Sequence, residues 1–414
     1  GYACYIRQMK KLILLSSLII SFLAEAQSRY NIIYEAQLGQ NYAAENFNSG
    51  FHLFDFMDSL LIPKQIIERD NEYAKIINPI FRFTKLFLTN YLMSDYPMTM
   101  NHERFGHGYR MIEGGGAINE IVYNMPPPFT NQFSYISLDY PVNFTQQQEL
   151  MINLGGSETN LVFSDILRKN VLLDGKFSYN YSIAYLYASN DAPGYTAFIS
   201  NPASDHIRYR EGLNNFYGGN SPLTLKKMRR YSFLSLFTDP INFYALKSIF
   251  FDYLVKGKGS ADIKMIGLSE RFKYLPRFRF ENTPFGPELV YQNYFKWDSK
   301  LIQLNFSHSD GSFNSSWRID TKMWNIQLGN KLSFNISGEL WNQPLIDFYV
   351  DDVLQQSQYL GSKLTLTTNY DIVNSNNLLG LTLQIGYKTR GYSLGEQLDR
   401  GLVLRSGLTF KLGN

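Results

Sequence analysis

The 414-residue chain has little cysteine, little histidine and little net charge. A single Cys excludes a disulfide-stabilised scaffold, and 39 Lys and Arg against 36 Asp and Glu leave a formal net charge of only +3. Nucleic-acid binding usually requires a clear basic excess, so no nucleic-acid partner is expected. The charged fraction is 18%, below the roughly 25% of soluble domains, whereas aromatic residues make up 16% of the chain. This composition excludes intrinsic disorder, which combines few aromatic residues with a high net charge.

The first 26 residues have the pattern of an exported protein. Met9-Lys10-Lys11 precedes an apolar run from Leu12 to Leu23, which is followed by Ala24-Glu25-Ala26. A basic start, about a dozen apolar residues and a small-x-small site are typical of a secretory signal peptide, and such a run is too short to span a bilayer. We therefore expect residues 1–26 to comprise an upstream extension and a signal peptide that is cleaved after Ala26. Cys4 lies within this stretch.

From about residue 258 the apolar residues follow a period of two. The clearest runs lie at 332–340, 379–387 and 402–410, where Leu, Ile and Phe alternate with polar or small residues. Alternation of this kind places one side of a strand on an apolar phase and the other side on a polar one. About eight strands are predicted between residues 261 and 412. A further strand at 31–38 is placed to pair with the last one and close a ring.

Two architectures fit the alternating segments. Strands of about nine to eleven residues with aromatic residues near their ends resemble those of outer-membrane β-barrels, whereas sandwich strands are usually shorter. The sequence therefore predicts an α+β chain with an antiparallel β-barrel at 258–414 that contacts outer-membrane lipid. It is preceded by a strand and linker at 27–44 and by helix-like segments at 45–257. The alternative is a soluble periplasmic protein with a β-sandwich.

The motif His102-Glu103-Arg104-Phe105-Gly106-His107 carries the clearest chemical signal. It follows Pro97 and precedes three glycines at 114–116, so it is predicted to lie in a helix. In the zinc signature H-E-x-x-H, two imidazoles share one helical face with a Glu beside them. Here the histidines are five residues apart, which on a regular α-helix turns the second ring away by about 140°. A π-bulge, tolerated at Gly106, would return both rings to one face.

The pattern H-E-x-x-G-H is also the zinc signature of the dipeptidyl peptidase III family, which this chain resembles at all four fixed positions. The resemblance implies a helical zincin-like metallopeptidase domain at 45–257 with Zn²⁺ as its cofactor. It implies His102 and His107 as metal ligands and Glu103 as the catalytic base. In that family the third ligand is a Glu on a second helix downstream, and Glu158 lies 51 residues after His107.

The residues around Glu158 support its nomination independently. Thr145 and Gln148 form a predicted capping box that begins a helix extending to about residue 169. Glu158 lies on the apolar face of this helix, where a carboxylate is costly unless it is paired or bound to metal. The pair Gly155-Gly156 disfavours a helix interior and so predicts that another helix approaches closely there. Asp165, on the same face, is a candidate to orient a ligand imidazole.

Hydrolysis would also require a hydrogen-bond donor for the developing oxyanion. The candidates are Tyr109 and Arg110 beside the motif, and His206 and Tyr209 further along the chain. A short strand predicted at 117–123 is a candidate wall for the substrate cleft. The favoured function is an exported zinc-dependent hydrolase of the outer membrane that acts on a peptide or protein. The alternative is a non-enzymatic barrel, such as a pore, assembly or adhesion component, with a degenerate helical domain.

Overall fold

The computed structural model describes residues 29–198, 201–202, 204–218, 222–374 and 378–412. The predicted signal peptide and Cys4 lie outside the described residues. Helices dominate the first part of the chain and strands the second, which confirms the predicted α+β class. Among the described residues, no helix is both long enough and apolar enough to cross a membrane by itself.

The helical part contains regular α-helices and π-helical segments. The α-helices are α1 (Gln40–Leu61), α2 (Ala74–Lys85), α3 (Tyr91–Met100), α4 (Gly108–Glu113), α5 (Gln146–Asp174), α6 (Tyr179–Phe198), α7 (Asp205–Tyr217), α8 (Leu225–Thr238) and α9 (Pro240–Leu246). The π-helical segments are π1 (Leu86–Asn90), π2 (Asn101–His107) and π3 (Lys247–Val255). Segments α2, π1, α3, π2 and α4 follow one another without a break, and π3 continues α9.

The strands form one large sheet and several two-stranded pairs. The strands are β1 (Tyr30–Tyr34), β2 (Ala117–Val122), β3 (Tyr135–Asp139), β4 (Lys176–Ser178), β5 (Ser260–Asp262), β6 (Ile266–Gly267), β7 (Phe272–Thr283), β8 (Gly286–Trp297), β9 (Lys300–Ser309), β10 (Trp317–Leu328), β11 (Leu332–Asn342), β12 (Asp347–Val350), β13 (Val353–Gln356), β14 (Leu360–Asn374), β15 (Leu378–Lys388) and β16 (Gly401–Lys411). Within the described residues the large sheet has ten strands in the order β1-β16-β15-β14-β11-β10-β9-β8-β7-β6. Neighbouring strands run antiparallel throughout.

Among the described residues the sheet does not close on itself, so the expected closed barrel is not seen. The predicted pairing of the N-terminal strand with the last strand is confirmed as β1 against β16, but β1 and β6 are the two edges of the sheet. Helices occupy the gap between these edges. Ser49 on α1 donates a hydrogen bond to the carbonyl of Asn31 on β1 (2.6 Å), and Thr238 at the end of α8 donates one to the carbonyl of Phe278 on β7 (2.9 Å). The alternating pattern predicts two chemically different faces of each strand, but it does not predict what lies beside the edge strands.

Helix α5 runs along the inner face of the sheet and is buried over most of its length. It begins with the predicted capping box, in which the Thr145 hydroxyl accepts a hydrogen bond from the Gln148 amide (3.2 Å). At its other end, Lys296 of β8 donates to the carbonyl of Leu172 (2.8 Å). Asp165 forms an ion pair with Arg279 of β7 (2.8 Å), so it serves the contact with the sheet rather than a ligand imidazole. Residues of α1, α5, α6 and strands β7 to β9 share one hydrophobic core.

Candidate metal centre

The π-helical segment π2 brings His102 and His107 onto one face. Its hydrogen bonds link each residue to the fifth one before it, as in the bond from the Gly108 amide to the Glu103 carbonyl. This wider turn compensates for the five-residue spacing, and the two Nε2 atoms lie 3.1 Å apart. The predicted π-bulge is therefore confirmed.

Glycine is required where π2 crosses α5. A Cβ atom on Gly106 would lie 2.5 Å from Cα of Gly156, closer than carbon atoms can pack. A Cβ atom on Gly156 would lie 2.3 Å from Nε2 of His102. The close approach predicted from Gly155 and Gly156 is thus confirmed, and it holds the His102 ring directly against α5.

Asp205, in the first turn of α7, completes a group of three metal-ligating side chains. Its Oδ2 atom lies 3.6 Å from Nε2 of His102 and 3.4 Å from Nε2 of His107. A tetrahedral zinc ion with ligands at about 2.0–2.1 Å would place neighbouring ligand atoms about 3.3 Å apart. The separations within the group lie close to this value. His102, His107 and Asp205 could therefore hold a metal ion.

The outer nitrogen of each imidazole is held by an acceptor. Nδ1 of His107 donates to the carbonyl of Ile152 (2.6 Å), and Nδ1 of His102 donates to the carboxylate of Asp191 (3.1 Å). In a neutral ring this leaves the lone pair on Nε2, the atom that faces the shared centre. Two such lone pairs facing each other repel unless a proton or a metal cation lies between them. Hydrogen bonds of this kind orient the histidine ligands of metal sites and raise their basicity.

A hydrogen-bond network fixes Asp191 in turn. Nδ2 of Asn160 donates to the Asp191 carboxylate (3.1 Å), and Nδ2 of Asn101 donates to Oδ1 of Asn160 (2.9 Å). Because Asn101 is the residue before His102, the network returns to the π-helix that carries the imidazoles. The ring orientation of His102 therefore depends on three helices, π2, α5 and α6.

The charges around the group are strongly coupled. Burial alone would lower the pKa of His102, but neighbouring carboxylates, Asp191 foremost, hold this pKa well above the usual range. Burial would raise the pKa of Asp205, yet the two imidazoles hold it well below the usual range. The pKa of Asp191 is likewise held below its usual range, mainly by His102, so both carboxylates stay ionised next to the imidazoles.

Glu103, predicted as the catalytic base, lies at the edge of this group. Its side chain is buried, and its charge contributes to raising the pKa values of both imidazoles. Among the described residues, no hydrogen bond or salt bridge engages its carboxylate. A buried carboxylate without such a partner is poised to accept a proton from a bound molecule.

Glu158, predicted as the third ligand, is not a member of the group. Its Oε1 atom lies 2.5 Å from Nη2 of Arg110, and its Oε2 atom accepts from Nε of the same guanidinium (2.9 Å). Gln40 and the amide of Gly395 donate further hydrogen bonds to this carboxylate (3.1 and 3.0 Å). The buried charge that suggested a metal ligand is instead compensated by Arg110, and Asp205 takes the position expected for Glu158.

Two of the predicted oxyanion donors lie apart from the group. Tyr109 packs with its ring against Arg110 (5.4 Å from the guanidinium carbon), and the charges nearest to it are those of Glu113 and Arg110. Tyr209 is fully buried and donates its hydroxyl hydrogen bond to the carbonyl of Thr283 (2.8 Å). Arg110 is committed to Glu158. Tyr209 and Arg110 are therefore engaged with partners outside the group of His102, His107 and Asp205.

His206 lies beside the group but is held by other partners. Its Nε2 atom is 3.0 Å from Oγ of Ser157, and its Nδ1 atom is 3.3 Å from Nδ2 of Asn282. Burial lowers the pKa of His206 to about 4, so the ring is neutral at neutral pH. Both ring nitrogens are occupied, and His206 therefore supports the wall of the site.

Sequence reasoning missed Asp205, Asp191 and Tyr195. Tyr195 stands one helical turn after Asp191 on α6, and its ring centroid lies 5.4 Å from that of His206. Burial, with the charges of Asp205 and Asp191, raises its pKa, so the hydroxyl remains a hydrogen-bond donor. The available signal in the sequence was Asp205, the acid directly before the donor candidate His206.

A β-hairpin flanks the site. The strand predicted at 117–123 is confirmed as β2, which pairs with β3 in a separate two-stranded sheet. Side chains of Ile118 and Ile136 lie 2.7 and 3.2 Å from where a Cβ atom on Gly108 would stand, so the hairpin packs onto the end of π2. Tyr140, just after β3, has a pKa raised by burial and, in part, by Asp205. The chain following the hairpin therefore passes near the start of α7.

Comparison of the chain with protein-family models, with curated proteins and with solved structures finds no match.

Proposed function

We propose that the protein is a zinc-dependent hydrolase, in the manner of a metallopeptidase, with His102, His107 and Asp205 as metal ligands. The observation that carries the proposal is the convergence of two Nε2 atoms and one carboxylate oxygen within 3.1–3.6 Å of one another. Each imidazole is also tied at Nδ1 to an acceptor, as in established zinc sites. Zinc supplies a Lewis acid that lowers the pKa of a bound water towards 7.

The side chains around the metal position fit distinct roles in hydrolysis. Glu103 has no salt-bridge partner among the described residues and is the group best placed to accept the proton of the attacking water and return it to the leaving amine. Tyr195, kept protonated by its surroundings, is the candidate donor to the oxyanion. Asp191 positions His102 and does not touch the reacting atoms.

The hairpin favours a peptide or protein as the substrate. In a two-stranded sheet, the outer edge of each strand presents unpaired backbone amides and carbonyls. An extended peptide adds to such an edge through backbone hydrogen bonds. Strand β3 contacts π2, so a peptide on this edge would lead towards the metal position. The free edge therefore offers a binding mode that does not depend on one particular side chain.

The test combines metal analysis with hydrolysis assays on a quenched-fluorescent peptide library. The wild type and Glu103→Gln should each bind one zinc per chain, whereas Asp205→Asn should lose it. Glu103→Gln should lower hydrolysis by about 10²–10⁴-fold, the usual contribution of a general base. Glu149→Gln, the same substitution at an exposed position of α5, is the matched control and should change neither quantity.

Two results would overturn the proposal. One is a wild-type protein that holds no stoichiometric zinc after incubation with the metal. The other is a Glu103→Gln variant that hydrolyses every library peptide as fast as the wild type. Either result would favour the non-enzymatic alternative.

A further inference from the structure

The outer face of the large sheet is apolar and exposed, whereas its inner face is polar and buried. On β15 the outward side chains are 41–52% exposed, and they are Leu379, Leu381, Leu383, Ile385 and Tyr387. The inner face borders a cavity of about 180 Å³ against α5, lined by charged side chains such as Arg318, Glu339 and Lys363. A soluble antiparallel sheet has the opposite arrangement, with apolar residues inward and polar residues in water.

Helix α2 shows the same inversion. Four of its six exposed side chains are apolar, namely Ile76, Ile77, Ile80 and Phe83, and the other two are Lys75 and Thr84 near its ends. Its buried side chains are polar or charged, apart from Ala74, namely Asn78, Arg82 and Lys85. An amphipathic helix on the surface of a soluble protein buries its apolar stripe instead. The apolar stripe of α2 therefore faces a medium other than water or the protein interior.

Other helices beside α2 also present apolar side chains outward. These side chains are Leu53, Met57, Leu60 and Leu61 on α1, Phe233, Leu234 and Phe237 on α8, Phe243 and Leu246 on α9, and Phe250, Phe251 and Val255 on π3. Polar residues of the same helices are buried, including Asp58, Ser232, Asn242 and Asp252. The inversion therefore recurs on each of these helices, although Lys226 and Arg230 of α8 and Lys247 of π3 are exposed as well.

These helices bridge the open edge of the sheet in an unbroken series of contacts. The series starts at β7 with the bond from Thr238 of α8 and ends at β1 with the bond from Ser49 of α1. Between them, Asn242 of α9 donates to the carbonyl of Leu236 on α8 (3.1 Å), Arg82 of α2 donates to the carbonyl of Leu254 on π3 (2.9 Å), and Lys85 of α2 pairs with Asp58 of α1 (2.7 Å). The sheet and these helices therefore form one continuous wall around the interior.

We infer that the outward side chains of the sheet and of α1, α2, α8, α9 and π3 form one continuous apolar band that contacts the acyl chains of a lipid bilayer. In this arrangement the helices complete the wall that the strands leave open. The helical part is then embedded beside the sheet and is not a soluble domain appended to it. The inference does not depend on the metal or on hydrolysis.

The extent of the apolar band favours lipid over a protein partner. From residue 379 to residue 387, the alternating run of β15 has nine residues, which matches the about nine to eleven residues of a tilted membrane-spanning β-strand. A protein partner usually covers a single patch of about 800 Å² on each side. The apolar band is present on the sheet and on every bridging helix, as contact with a surrounding liquid requires.

Nitroxide labels on single cysteines test the inference in the full chain. Cys4 is changed to Ser, and labels are placed at Phe83→Cys and Phe250→Cys on the helices and at Leu381→Cys on the sheet. Glu211→Cys, at an exposed polar position of α7, is the aqueous control. The protein is reconstituted into vesicles of phosphatidylcholine and phosphatidylglycerol. Collisions with oxygen, which enters lipid, are compared with collisions with a nickel chelate, which stays in water.

The ratio of oxygen to nickel collisions should be several-fold higher at residues 83, 250 and 381 than at residue 211. A high ratio at residue 381 together with nickel access at residues 83 and 250 would overturn the inference that the helices contact lipid. Nickel access at all three positions, or failure to enter vesicles, would overturn contact with lipid altogether. Few collisions with either reagent at 83 and 250 would also overturn the inference, because it would indicate a second protein chain there. Should Phe83→Cys fail to fold, Ile80→Cys probes the same face.

Discussion

The contact between Gly156 and His102 allows the metal position to be perturbed without disturbing the fold. In Gly156→Ala the new Cβ atom would lie 2.3 Å from Nε2 of His102, and two further ring atoms would lie within 2.5 Å. The ring must move by about 1 Å to restore ordinary contact, whereas metal–ligand distances tolerate only about 0.2 Å. We therefore expect zinc affinity to fall by at least about 100-fold, or about 2.7 kcal/mol.

The clash in Gly156→Ala involves a side chain, so the helices need not separate. The free energy of unfolding of the metal-free protein should stay within about 1 kcal/mol of the wild type, because Ala also favours the helix. Gly106→Ala differs, since its Cβ atom would meet the backbone of Gly155 and Gly156 at 2.5–2.6 Å. That variant should lose both zinc and about 1–3 kcal/mol of stability.

Competition with a chromophoric chelator measures the affinity, and denaturant unfolding of metal-free protein measures the stability. Gly50→Ala, where an added Cβ atom meets nothing within 4 Å, is the matched control and should bind zinc normally. If Gly156→Ala retained wild-type zinc affinity, His102 could not be a ligand in the position described. If Gly156→Ala lost zinc only because the protein unfolds, its clash with the His102 ring would be as disruptive as the backbone clash of Gly106→Ala, and the distinction between the two variants would be wrong.

Two further substitutions address the carboxylates around the centre. Glu158→Gln should leave zinc stoichiometry intact but lower the free energy of unfolding by about 1.5–3 kcal/mol, because buried Arg110 loses one of its two carboxylate partners and keeps only Glu113. Equilibrium unfolding with parallel metal analysis checks this, and loss of zinc from a folded variant would restore Glu158 as a ligand. Asp191→Asn should keep the fold and weaken zinc binding about 10–100-fold, because His102 loses the carboxylate that orients its ring. Competition with the chelator measures this change, and an unchanged dissociation constant for zinc would contradict the role of Asp191.

The local features of the site could be predicted from the sequence because they arise from neighbouring residues. The five-residue spacing with Gly106 between the histidines requires a wider helical turn, and Gly155-Gly156 requires a close helix crossing. The alternation of the strands likewise places the apolar and the polar side chains on opposite faces, although it does not show which face is the interior. Each of these features depends on a few adjacent residues and not on distant parts of the chain.

The third ligand and the edges of the sheet depend on contacts between distant segments, and the sequence does not specify these. A buried carboxylate at position 158 can be compensated by a metal ion or by a cation such as Arg110, and both satisfy the same physical requirement. Asp205 lies on a different helix with no periodic relation to the motif. Similarly, alternation fixes the faces of β1 and β7 but does not reveal that α1 and α8 lie beside them.

The pairing of β1 with β16 has a consequence for the order in which the molecule assembles. It joins Tyr30 to Phe410, and Glu158 is held both by Gln40 and by the Gly395 amide. Contacts between such distant residues close large loops and form late in folding. The wall formed by the sheet and the helices cannot be complete before β16 is in place. The same holds for the hydrogen bonds around Glu158 and Arg110. A chain that stops short of β16 would therefore be an intermediate with an unpaired β15 edge and not a smaller working protein.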